Sequence, residues 1–151
     1  KTMRGVRLRT SFVIGRNGGA LKSLKKIVKM GLGGTLGTGT QGMSWIHEYD
    51  MNAIIHRAIT DKTFKGAYVV SAPNPVSNKV FMCLLRKKMK MPIGIGLPAP
   101  EFLARLGARL LFRTDPELAL YGRYVKSVRL EKEKFVFKFP VLEDALDDLL
   151  D

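Results

Sequence analysis

A chain of 151 residues, 46% hydrophobic and 26% charged, has the length and composition of one globular domain that buries about two-thirds of its unfolded surface, which excludes disorder except at the ends. Its apolar runs are too short to cross a bilayer, no signal segment opens it, and a single cysteine excludes an internal disulfide, so the expectation is a cytoplasmic protein with no membrane partner. A net charge of +13 suits a polyanion, yet no basic run carries the interleaved aromatics of a single-strand nucleic-acid face, and nucleic acid is the weaker expectation.

In chain order, Gly5–Gly15 reads as an internal, parallel strand, because it is β-branched and apolar on both faces near its end. Lys1-Thr-Met-Arg-Gly runs straight into it, as expected of a piece cut from something longer. Ala20–Met30 reads as a helix, with Leu21, Leu24, Ile27 and Val28 inside and lysines 22, 25, 26 and 29 outside. Gly33–Asp50, GGTLGTGTQGMSWIHEYD, is a glycine-rich loop leading into the extended piece Met43–His47. A helix follows, headed by Glu48 or Asp50, with Met51, Ile54, Ile55, Ala58 and Ile59 as its buried stripe. Ala67–Ser71 is a second strand, and Ser77 or Asn78 caps a helix reaching about Met89, with Cys83 expected as a small buried hydrophobe. Pro92–Pro100 is an extended linker, Glu101–Phe112 an amphipathic helix, and Asp115–Tyr121 a helical turn. Val125–Leu130 is helical, Phe135–Pro140 a strand or extended tail, and Leu142–Leu150 a short acidic helix.

The loop spells two phosphate-binding patterns, Gly31/Gly34/Gly37 and Gly37/Gly39/Gly42. A dinucleotide fingerprint needs a strand before it and a helix opening on its last glycine, so that helix N–H groups meet the pyrophosphate. Here a helix precedes Gly31 and an extended piece follows Gly42, so neither pattern has that context. His47 and His56 lack metal spacing, and no metal is expected. His56 reads as a surface or structural residue. His47, between an apolar triplet and a helix start, is open to helix capping and to ligand contact alike. No serine sits in a nucleophile elbow, and no Tyr has a Lys four residues on, so the chain carries no self-sufficient active site and no catalytic residue is assigned.

Four segments in order, RTSFVIGRNGGAL, GLGGTLGTGTQGMSWIHEYD, SAPNPVSNKVF and FVFKFPVLEDAL, resemble the C-terminal half of the NAD(P)-dependent epimerase-like proteins of the atypical extended short-chain dehydrogenase/reductase superfamily. The resemblance covers nearly the whole chain. It implies an α/β fold: the C-terminal portion of a Rossmann-like doubly wound sheet (residues 1–71, with an inserted cleft loop) plus a small, mostly helical substrate-binding lobe (72–151). It also implies that the cofactor fingerprint and catalytic residues lie in an N-terminal Rossmann half that this chain lacks, so that the chain alone is inactive and binds no cofactor. By the resemblance Val13 takes a position that contacts NAD or NADP, with Thr10 and Ser11 beside it. Gly39, Gln41, Met43, Trp45 and His47 line the substrate cleft, and Asp50 is the acid that begins the next helix. Where related sugar-nucleotide enzymes hold a diphosphate with a basic or amide side chain, Gln41 and Met43 offer no obvious clamp. Lys134 stands where the family usually has glycine. The partners implied are the missing half, a small molecule of the sugar-nucleotide class, and a second copy through an exposed sheet edge. The alternative is a basic binding module for nucleic acid or a protein.

Overall fold

The computed structural model describes residues 3–31, 33–35, 37–91 and 122–151. The expectations for Pro92–Pro100, Glu101–Phe112 and Asp115–Tyr121 fall outside them. The described elements are β1 (Val6–Thr10), β2 (Phe12–Ile14), α1 (Gly19–Lys29), β3 (Gly42–Met43), β4 (Trp45–His47), α2 (Glu48–Thr60), β5 (Gly66–Val70), β6 (Val76–Ser77), α3 (Asn78–Lys88), α4 (Val128–Lys132) and α5 (Leu142–Leu150).

The first strand is parallel, as expected, but it is broken at Ser11. β1 pairs with β5, from Val6 opposite Gly66 to Thr10 opposite Val70. β2 pairs instead with β4, from Phe12 opposite Trp45 to Ile14 opposite His47. The partner changes between consecutive residues: Ser11 N–H donates to Val70 O at 2.9 Å and Phe12 N–H to Ser44 O at 3.1 Å. β1 is not an internal strand among the described residues, because only β5 borders it. Its side chains agree, with Val6 and Leu8 half-buried and Arg7 and Arg9 exposed, the alternation of a strand covered on one face.

α1 buries Leu21 and Val28 and ends at Gly31, whose φ of 78° suits glycine and closes the last turn. On α2 the expected stripe is too wide. Ile54 is buried and Met51 and Ala58 pack beside it, whereas Ile55 is 38% and Ile59 71% exposed. Residues 51, 54 and 58 form one line down the helix, and 55 and 59 lie about 100° round from it. The Arg4 guanidinium closes the end of α2 by donating to Ala58 O (2.7 Å), Ile59 O (3.2 Å), Asp61 O (2.9 Å) and Phe64 O (2.6 Å). These include carbonyls that the helix end leaves without intrahelical donors.

Ser77 caps α3, its hydroxyl accepting from Val80 N–H at 3.2 Å. Cys83 is exposed rather than buried, because Phe81, Met82 and Leu85 are the residues that α3 turns inward. Helix α4 starts three residues later than expected. Ser44 Oγ accepts from Val125 N–H and donates to Arg123 O, both at 2.7 Å, which holds residues 123–125 in an extended course. Phe135–Pro140 forms no strand. It is an irregular strap, held where Lys138 N–H (2.8 Å) and Phe139 N–H (3.0 Å) both donate to the Asp50 carboxylate. α5 spans the expected residues.

Side chains of adjacent strand residues point to opposite faces, so β4 feeds two cores. Trp45 joins Leu21, Phe81, Leu85, Leu146 and Leu149, while Ile46 joins Ile54, Phe64, Tyr68, Val70 and Leu130. Both cores draw on residues before and after Ser71. In the second, Phe64 stacks on Tyr68 at 3.7 Å and the Arg129 guanidinium lies 3.8 Å over the tyrosine ring, which ties β5 to α4.

Candidate functional site

Parallel sheets bind ligands beyond the carboxyl ends of their strands, where neighbouring connections part. Here the parting is the Ser11 break. Thr10 is exposed; Ser11 and Val13 are half-buried. The Ser11 hydroxyl is buried and has no hydrogen-bond partner among the described residues, which is costly for a polar group in a folded chain. Val13 lies opposite Ile46 and packs on the second core. At the end of β2, Gly15 sits flush against the Glu48 side chain, where any Cβ would strike the carboxylate, and Glu48 Oε1 accepts from Arg16 N–H at 3.0 Å.

The loop residues are pinned by close backbone packing. Gly39 is buried with φ at 72°, and its carbonyl accepts from Lys79 N–H at 2.9 Å. Gln41, half-buried, gives its carbonyl to Asn78 N–H at 2.9 Å, and Met43 Sδ lies 3.4 Å from Asn78 Nδ2. Gly42 and Gly122 meet backbone to backbone: a Cβ on Gly42 would fall 2.5 Å from Tyr124 N. These glycines serve close approach, turning and pairing. Gly31 closes a helix and Gly42 lies in a two-residue ladder with β6, so neither pattern opens a helix toward a phosphate.

Trp45 and His47 stand behind this loop, spent on internal contacts. Trp45 is fully buried and donates Nε1–H to Asn74 O at 3.1 Å. His47, 2% exposed, caps α2: Nδ1 accepts from Tyr49 N–H at 3.0 Å, which puts the proton of the neutral ring on Nε2. Nε2 approaches Asp148 Oδ2 to 3.3 Å, within ion-pair range but off the line of a hydrogen bond. Desolvation pushes the His47 pKa below its usual 6.5, against the pull of Asp148, Asp50 and Glu48. The ring stacks on Phe139 of the strap at 3.9 Å, so Asp50 and His47 grip the strap together.

The β2–β4 ladder therefore brings Val13 beside Trp45–His47, while Gly39, Gln41 and Met43 lie against the start of α3. Sequence reasoning missed Ser44 and Ser127. Ser127 Oγ accepts from Ser71 N–H at 2.8 Å and lies 2.7 Å from Val69 O, holding the end of β5. An isolated serine outside any motif gives no signal of such a role. Among the described residues no His, Cys, Asp or Glu cluster could hold a metal, and no helix is long and apolar enough to cross a membrane.

Residues 99–149 match a family model described as a domain of unknown function (DUF1731). An Arabidopsis thaliana relative, the chloroplastic epimerase family protein SDR39U1 homolog, is 34% identical over 97% of this chain and 40% of its own length. The crystal structure of human epimerase family protein SDR39U1 (isoform 2) with NADPH superposes with a TM-score of 0.85 at 26% identity, over 97% of this chain and 48% of that one. The nucleoside-diphosphate sugar epimerase of Corynebacterium glutamicum matches at 29% identity and a TM-score of 0.72, over 97% of this chain and 26% of that one. The chain thus spans less than half the length of each of these relatives. In sequence and in α/β fold it corresponds to the C-terminal half of an NAD(P)-dependent epimerase-like protein of the atypical extended short-chain dehydrogenase/reductase superfamily.

Proposed function

We propose that this chain is the substrate-side half of an NAD(P)-dependent epimerase-like oxidoreductase, and that it acts only when joined to a Rossmann half of the kind its relatives carry. The observation that carries this reading is the Ser11 break. It sits at the carboxyl ends of β1 and β5, where Thr10 is exposed and the buried Ser11 hydroxyl has no partner among the described residues. That pair suits the polar edge of a nicotinamide ring, while the described loop offers no phosphate cradle. Pyrophosphate binding therefore falls to the preceding half.

When bound, a nicotinamide supplies hydride transfer to or from a carbinol or carbonyl carbon; the choice between NAD and NADP lies with the other half. In this reading Thr10, Ser11 and Val13 face the cofactor, and Gly39, Gln41 and Met43 form the substrate wall. Trp45 and His47 hold that wall from behind. Residues 1–71 complete the sheet and 72–151 form the lobe, sharing both cores. The substrate is a small molecule of the sugar-nucleotide class, and the compartment is the cytoplasm, in contrast to the chloroplast of the Arabidopsis relative. Without its other half the chain associates with itself through the edge of β1 that no described strand borders.

The test is calorimetric titration of NADPH and NADH into the chain alone and into the chain fused behind the N-terminal half of the human relative. Saturable binding by the fusion alone is expected, weakened by Ser11→Val. A folded fusion that binds neither cofactor overturns the reading.

A further inference from the structure

Lysines 22, 25, 26 and 29 recur at the spacing of one helical face, and α1 presents them with Arg16 around a single surface hollow of about 200 Å³. Lys22, Lys26, Lys29 and Arg16 are exposed and Lys25 is half-buried. Several acids away from α1 are already paired: Lys87 and Lys88 engage Glu143 and Asp147, and Arg57 takes Asp61 and Glu133, while Asp148 lies between Arg16 and His47. Among the described residues no carboxylate pairs with any of the four lysines. Like charges three and four apart on a helix repel, so this face stores repulsion that a bound anion would relieve.

We propose that Arg16 and lysines 22, 25, 26 and 29 form a binding site for a compact polyphosphate anion, either inorganic or the phosphate chain of a nucleotide. The lysines span eight helical residues, a rise of about 10 Å, around a hollow with room for about seven waters. That matches a few phosphates gathered in one place. A nucleic-acid duplex spreads its charge evenly, about one per 1.7 Å, and calls for a longer basic track. Among the described residues no aromatic lines the hollow to stack a base. Lysine ammonium groups are rotatable point donors, suited to phosphate oxygens in several orientations.

The test uses the intact protein and calorimetric titration of inorganic tripolyphosphate at low and moderate salt. Two triple variants of equal net charge are compared: Lys22→Gln/Lys26→Gln/Lys29→Gln in the hollow, and Lys62→Gln/Lys65→Gln/Lys132→Gln on exposed positions elsewhere. The proposal expects saturable binding of one anion per chain, weakened about tenfold or more in the hollow variant and less than about twofold in the other. Thermal melting checks that both variants fold. ATP as a second ligand separates the sources: tighter binding than tripolyphosphate marks a nucleotide, weaker binding the inorganic ion. Equal loss in both variants, no saturation, or tighter binding of a DNA duplex at matched phosphate concentration overturns the proposal.

Discussion

Asp50 is 1% exposed, and its carboxylate accepts both strap amides, Lys138 N–H and Phe139 N–H. A buried acceptor facing two donors is costly to remove, since each amide is left without a partner. Asp50→Ala is expected to lower the unfolding free energy by about 3 kcal/mol in a urea titration, and Asp50→Asn, which keeps one acceptor oxygen, by about half that. His47 gives a pH signature. Its folded pKa lies below its ordinary 6.5, so the folded chain binds fewer protons than the unfolded one. The stability tied to the neutral ring is then complete above about pH 6.5 and declines as pH falls through that value toward the folded pKa. Thermal midpoints should drop on acidification through this window. His47→Asn retains a cap acceptor for Tyr49 N–H without a titrating ring, and should flatten the drop; an unchanged slope would exclude His47 as its source.

At the scale of elements, α4 closes with Phe135 N–H on Leu130 O and Lys134 N–H on Glu131 O, both at 2.9 Å, and this turn holds Lys134 at φ 53°. That is the αL position where glycine is the low-strain residue. Lys134→Gly is expected to raise stability by about 0.5–1 kcal/mol, read from the urea midpoint, and a destabilised variant would contradict the turn geometry. The departure from glycine at this position was visible in the sequence, and so was α5, whose leucines keep strict helical spacing. The capping of α2 by His47 was one of two roles that its position left open. The Ser11 break was not legible, because composition makes Val6–Ile14 look continuous while the break depends on distant partners, Val70 on one side and Ser44 on the other. The exposure of Cys83 and Ile59 follows from which helix face meets the core, and an apolar run on every side of a helix conceals that choice. Trp45 and His47 stood out in the sequence as rare residues in a loop, but rarity there reflects a packed core and a helix cap.

At the scale of the whole molecule, the described residues leave uncovered the outer edge of β1 and the outward face of α2, with Ile55 and Ile59 one turn apart. A doubly wound fold covers such surfaces, and the relatives are more than twice as long as the matched region. Replacing both isoleucines by lysine should change the stability of the isolated chain by less than about 0.5 kcal/mol, because neither side chain is buried there. In the joined protein the same change should loosen the two halves, seen as faster proteolysis between them. The most direct test of the central claim is hydrogen exchange on the fused two-half protein, with and without NADPH. The account predicts slower exchange across Thr10–Gly15 when cofactor is added, with α5 unaffected. Protection confined to the preceding half, with the Ser11 break exchanging as before, would contradict it.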